Sequence, residues 1–115
     1  MAGGESSEEA HTAIVEAIRK RALLQFNYKG HIRIVAPYCF GVSTRGEDVL
    51  RAVQVRGSSA SNGMGFGKLW TVTDIAEPRV LDEGFTPDDP HYNPDDSAMT
   101  HIYCRVERSR RQASA

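Results

Sequence analysis

The sequence predicts a mainly β domain, a small barrel or rolled antiparallel sheet with a single helix at its N-terminal end. Three observations predict it. One helical apolar period occurs near the start; five or six short runs then alternate apolar and polar residues; and clusters of Gly, Pro, Asp, Asn and Ser separate those runs. No strand–helix–strand succession occurs, so a parallel α/β sheet is not expected.

At 115 residues, 40% hydrophobic and 25% charged, the chain has the size and composition of one globular domain. The formal net charge of −1 gives no whole-chain attraction for nucleic acid, so any anion site must be a local cluster. No apolar run approaches the ~20 residues of a spanning helix, and the acidic start MAGGESSEEA lacks an export pattern. A cytoplasmic protein without membrane association is expected. Cys39 and Cys104 have no CxxC spacing and read as reduced, small buried hydrophobes.

Taken in order, residues 1–6 are expected to be disordered. Ser and Glu three apart in Ser6-Ser7-Glu8-Glu9 have capping-box spacing, and Ala10, Ile14, Ala17 and Ile18 recur at helical intervals. A helix over 7–21 follows, with Arg19, Lys20 and Arg21 complementing the dipole at its end. Leu24, Phe26 and Tyr28 then alternate with Gln25 and Asn27 as a half-buried strand; Lys29-Gly30-His31 turns it; and Ile32, Ile34, Ala36, Tyr38, Phe40 and Val42 complete a hairpin. Pro37 predicts an edge, bend or bulge in this second arm, which could accept a partner strand by β-augmentation.

Ser43 to Asp48 turn the chain into DVLRAVQVR, whose apolar faces are interrupted by Arg51 and Gln54. GSSASNGMGFGK reads as a flexible loop, Leu69 to Val72 as a short strand, Asp74 to Pro78 as a turn, and Val80 and Leu81 as a fifth piece. EGFTPDDPHYNPDD is a long solvated connection, MTHIYCRVE the final strand, and 108–115 a disordered basic tail. The domain proper spans 7–107.

Familiar chemistry is hard to place. GMGFGK is no Walker loop, because Asn62 occupies the first glycine position and Leu69 follows Lys68 where Ser or Thr is needed. His11, His31, His91 and His101 lack metal-ligand spacing, and Asp88, Asp89, Asp95 and Asp96 lack EF-hand order. No nucleophile with a base and orienting partner is evident, so neither an enzyme nor a cofactor is expected. What remains is a polar set on the sheet: Arg33, Tyr38, Arg51, Gln54, Arg56 and Lys68. Arginine forks match phosphate, an amide can bond a base edge, and tyrosine can stack or donate. The expectation for Arg51 is a solvent-filled pocket and an anionic ligand.

From Leu23 to Phe85 the succession LLQFNYKG, RIVAPYCFGVS, DVLRAVQV and KLWTVTDIAEPRVLDEGF resembles the WYL domain family in order and spacing. The resemblance implies an SH3-like or Sm-like β-barrel acting as a ligand-sensing module in bacterial transcription regulation or phage defence, with nucleotides or single-stranded nucleic acids as ligands. Arg33 and Tyr38 fall on the family's basic and aromatic positions. The naming triplet is here Asp48-Val49-Leu50, and Thr71 stands where the family carries an arginine. The single short helix cannot form a helix-turn-helix, so a stand-alone WYL-like protein is expected. The alternative is a protein-interaction module docking on a larger DNA-processing enzyme or regulator. Nothing in the sequence selects an oligomeric state.

Overall fold

The computed structural model describes residues 2–57, 69–87, 92 and 95–106, with side chains from residue 8 onward. Helix α1 (Ala2–Lys20) leads into β1 (Ala22–Tyr28), β2 (His31–Ser43), β3 (Asp48–Gly57), β4 (Leu69–Thr71), a 3-10 turn (Val72–Asp74), β5 (Ile75–Gly84) and β6 (Met99–Arg105). All ladders are antiparallel. The strand order is β4-β3-β2-β1-β5, and β6 adds to β2.

The mainly β class with one N-terminal helix is therefore present, but the barrel is not. Among the described residues no ladder joins β4 to β5, so the sheet stays open. Length provides the physical reason, since a closed barrel must continue its hydrogen bonding around the ring. β4 has three residues, all paired with β3 over Val49–Arg51.

The helix begins earlier than capping-box spacing suggests, running through Ser6 and taking residues 2–6 out of the expected disordered segment. Arg19 and Lys20 occupy the last turn, and Arg21 lies just beyond it in the left-handed region at φ 55°. Ala10, Ile14, Ala17 and Ile18 are buried against the sheet.

The hairpin forms as expected. Lys29 and Gly30 both take positive φ (54° and 86°) between the paired Tyr28 and His31, as a two-residue primed turn requires. Asn27 Oδ1 accepts a bond from the Gly30 amide at 3.2 Å.

Pro37 does not lie on an edge. β2 is the central strand: β3 runs along one side over Arg33–Val42, while the other side pairs first with β1, through Val35, and then with β6, from Cys39. Pro37 falls in the gap between the β1 and β6 ladders, and the β2–β3 register shifts between Pro37 and Cys39. One strand thus serves two neighbours on the same side, and no free edge remains there for augmentation.

The turn expected at Asp74–Pro78 is mostly strand. Residues 75–78 belong to β5, where Glu77 has φ 52° and the register with β1 shifts twice. Pro78 is tolerated because, among the described residues, β5 pairs only with β1, leaving an edge where a missing N–H costs nothing.

Both sheet faces are covered. His11 of α1 meets the Phe40 ring edge-on at 4.9 Å, and Phe40 pairs with Leu50, which pairs with Trp70; this is the helix side. The opposite face carries Cys39 and its partner Arg51, under Met99 and Asp96 from the last third of the chain.

Candidate functional site

Arg33 and Gln54 come together on the helix side, near the end of the sheet from which the 58–68 connection leaves. Strand alternation places Arg33, the partner of Phe26, and Gln54, the partner of Val35, on the face that Leu50 and Trp70 share. Both are buried, at 5% and 2% exposure. Arg33 Nη1 donates to Gln54 Oε1 at 3.4 Å and Nη2 to the Tyr28 carbonyl at 3.3 Å. Gln54 Nε2 in turn donates to the Arg56 carbonyl at 3.4 Å.

Two aromatic rings hold the guanidinium. Its carbon lies 5.4 Å from the Trp70 ring centroid and 5.7 Å from that of Tyr28, within cation–π range. The two rings meet edge-to-face at 4.9 Å. Trp70 Nε1 donates to the Ala52 carbonyl at 3.3 Å, and Tyr28 Oη accepts from the Thr71 amide at 3.1 Å, so β3 and β4 fix both rings. Thr71 contributes its backbone amide to this arrangement.

The other expected residues lie elsewhere. Tyr38 is buried at 4% exposure on the far face, its ring 4.9 Å from Tyr92 and 5.4 Å from Phe85, so it belongs to the core and lies apart from Arg33 and Gln54. Arg51 also faces that side. Its Nε and Nη2 bind the two carboxylate oxygens of Asp96 at 2.7 and 3.1 Å, with the side chains 16% and 8% exposed. This is a buried bidentate pair in place of the expected solvent-filled pocket. Arg51 and Gln54 do not share a rim, because they point to opposite faces. Arg56 is exposed and forms a bidentate pair with Glu83 at 2.7 and 3.1 Å. Lys68 lies outside the described residues.

Asp96, read from sequence as part of a solvated loop, is the partner that explains Arg51. Burial alone would raise its carboxyl pKa, but the bonds from Arg51, the Ala98 amide at 2.9 Å and the Arg51 charge hold it below the ordinary carboxylate value. Arg56 similarly lowers the Glu83 carboxyl through its hydrogen bonds and charge. Cys39 is pushed up to about 11, chiefly by burial and then by Asp96, so its thiol stays protonated at neutral pH. Among the described residues no group of three His, Cys, Asp or Glu side chains could hold a metal ion.

A second polar group joins α1, β3 and β6. Asp48 accepts from His11 Nε2 at 2.7 Å and from the Tyr103 hydroxyl at 3.0 Å, and its bond holds the Tyr103 phenol above its usual pKa. Its geometry is that of a tether between elements.

Sequence reasoning missed Tyr28 and Trp70 as partners of Arg33, although the apolar alternation placed both in strands. Gly57 lies opposite Arg33 in the ladder, a register that the alternation of the sequence does not fix. No family model, curated protein or solved structure matches the chain. No described helix is long and apolar enough to cross a membrane.

Proposed function

We propose that the chain is a WYL-like, non-catalytic sensing module that binds a nucleotide or short single-stranded nucleic acid through the Arg33 and Gln54 end of the sheet, in a regulatory role in transcription or phage defence. The observation that carries this reading is convergence: a guanidinium, an amide and two aromatic rings occupy one layer at the root of the Gly/Ser/Asn-rich connection. Arg33 and Gln54 are 5% and 2% exposed and bonded to each other and to backbone carbonyls, so a ligand engages them only where this layer opens. The released fork then suits phosphate and the amide a base edge, with Tyr28 and Trp70 orienting the guanidinium. Gly57, the last residue of β3, pairs with Arg33, and β4 carries the Trp70 ring that packs on the same guanidinium.

The test is fluorescence titration of labelled oligothymidylate and a nucleotide panel at two salt concentrations. Saturable binding that weakens with salt is expected, because phosphate contacts release counterions. Arg33→Lys, which keeps the charge and loses the fork, should weaken it at least tenfold. Absence of micromolar binding to every probe would remove the reading. The alternative, a protein-interaction module docking on a DNA-processing enzyme or regulator, draws its support from Arg51, whose fork is engaged by Asp96 inside the fold.

A further inference from the structure

The face of α1 turned away from the sheet is self-complementary. Residues advance by ~100° around a helix, so Glu8, Thr12, Val15 and Arg19 form one narrow stripe, flanked by His11 and Glu16. The buried residues Ala10, Ile14, Ala17 and Ile18 lie on the opposite side. Glu8, Thr12 and Arg19 are exposed, and Val15 is half-buried at the margin of the stripe, where it also packs against the core. A shallow groove of about 490 Å³ runs along this face, lined by His11, Thr12, Val15, Glu16, Arg19 and Lys20.

We infer that this stripe is an isologous dimer surface whose occupant is α1 of a second copy, packed antiparallel about a two-fold axis. The charge order argues for that occupant. A two-fold between residues 13 and 14 sets Glu8 opposite Arg19 of the second copy, Thr12 opposite Val15 and His11 opposite Glu16. The symmetry repeats each contact, as in any isologous interface. A carboxylate thus meets a guanidinium at both ends, and the β-branched Thr12 and Val15 meet at the centre. A parallel pairing would instead set Glu8 against Glu8 and Arg19 against Arg19. Within each helix Glu16 is held by Lys20 at 2.8 Å, and Arg19, though exposed, also bonds Cys104 of β6, so the Glu8–Arg19 pair sets the direction in competition with that intrachain bond. One helix pair buries less than the ~1,200 Å² of a standard interface, so the dimer forms weakly and reversibly.

Sedimentation equilibrium of the full chain from about 1 μM to about 1 mM spans the range over which such small interfaces assemble. A reversible monomer–dimer equilibrium is expected. Glu8→Arg alone and Arg19→Glu alone should each raise the dimer Kd about tenfold or more, since each reversal converts two symmetric attractions into repulsions. Combining both reversals restores opposite charges at every contact and should return Kd to within about threefold of the parent. Circular dichroism of each variant checks that the exposed changes leave the fold intact. A monomer at every concentration would overturn the inference. So would a dimer indifferent to the single reversals, or a double variant no tighter than the singles.

Discussion

At the scale of single residues, the arginine that interrupts β3 answers a structural need. Removing one member of a buried ion pair leaves the other desolvated and alone, which costs about 3–5 kcal/mol. Arg51→Ala should therefore lower the chemical-denaturation midpoint severely, whereas Arg51→Met with Asp96→Leu should recover most of the loss, because neither charge is then stranded. A single variant with a parental midpoint would show that the pair contributes nothing. The same pair sets an acid limit. The folded Asp96 carboxyl titrates below its unfolded value, so its contribution is fully present above the unfolded pKa of about 3.9 and is lost as pH falls through the depressed folded pKa. Stability measured from pH 6 down to pH 2 should fall in that acid window, and the fall should be smaller in the Met/Leu double variant. The sequence showed that Arg51 was out of pattern but could not supply its partner, 45 positions along the chain in a stretch whose Pro and Asp content reads as solvated. Gln54 was legible as anomalous for the same reason, and its pairing with Arg33 followed from a register that strand alternation alone does not fix.

At the scale of elements, local chemistry made the first half of the chain readable. Helical spacing placed α1, and Lys29-Gly30 placed the first hairpin, because each signal lies within a few residues of its effect. The ladders around β2 depend on longer-range contacts and were less readable. β6 reaches β2 across more than fifty residues, and it comes so near that a Cβ on Gly41 would collide with the His101 carbonyl oxygen. Glycine is needed there for space, not for a positive φ. Gly41→Ala should therefore displace β6 and break the Cys39 to Met99 contact (3.6 Å), seen as new reactivity of Cys39 toward a thiol reagent at neutral pH. Unchanged protection of that thiol would show that β6 can shift without opening. The strand edges also follow a physical rule that the sequence only hinted at. β4 is short, β5 carries Pro78 and two register shifts, and β6 shifts register twice against β2; each feature discourages a foreign strand from adding.

At the scale of the whole molecule, the chain builds an open sheet covered on both sides: by α1 on one, and by the segment carrying Phe85, Tyr92, Asp96 and Met99 on the other. Several short strands separated by turns suit a small barrel or a rolled sheet alike, and although Leu69 to Val72 reads as a short strand, nothing in the pattern reveals that it pairs on one side only among the described residues. The open arrangement makes β2 the structural centre, since it alone among the described strands pairs with three others, and it carries Arg33, Tyr38, Cys39 and Phe40 into the interior. The second cover is tied down at both ends of its return path, by Asp96 on Arg51 and by the Tyr92 hydroxyl, which donates to the Val106 carbonyl at 2.8 Å, while the Val106 amide donates to Tyr38 at 2.8 Å. Local opening requires the fewest broken ladders at an edge, so amide protection should fall outward from β2. Native-state hydrogen exchange should find the slowest amides in His31–Ser43 and in the parts of β1 and β3 that flank it, with β4, β5 and β6 exchanging through lower-energy openings. Under mild denaturant β2 should exchange only with global unfolding, its protection converging on the stability measured at equilibrium. Amides of β5 or β6 as slow as those of β2 would mean that the edges are sealed, as they would be in a closed barrel, and would refute the open-sheet hierarchy.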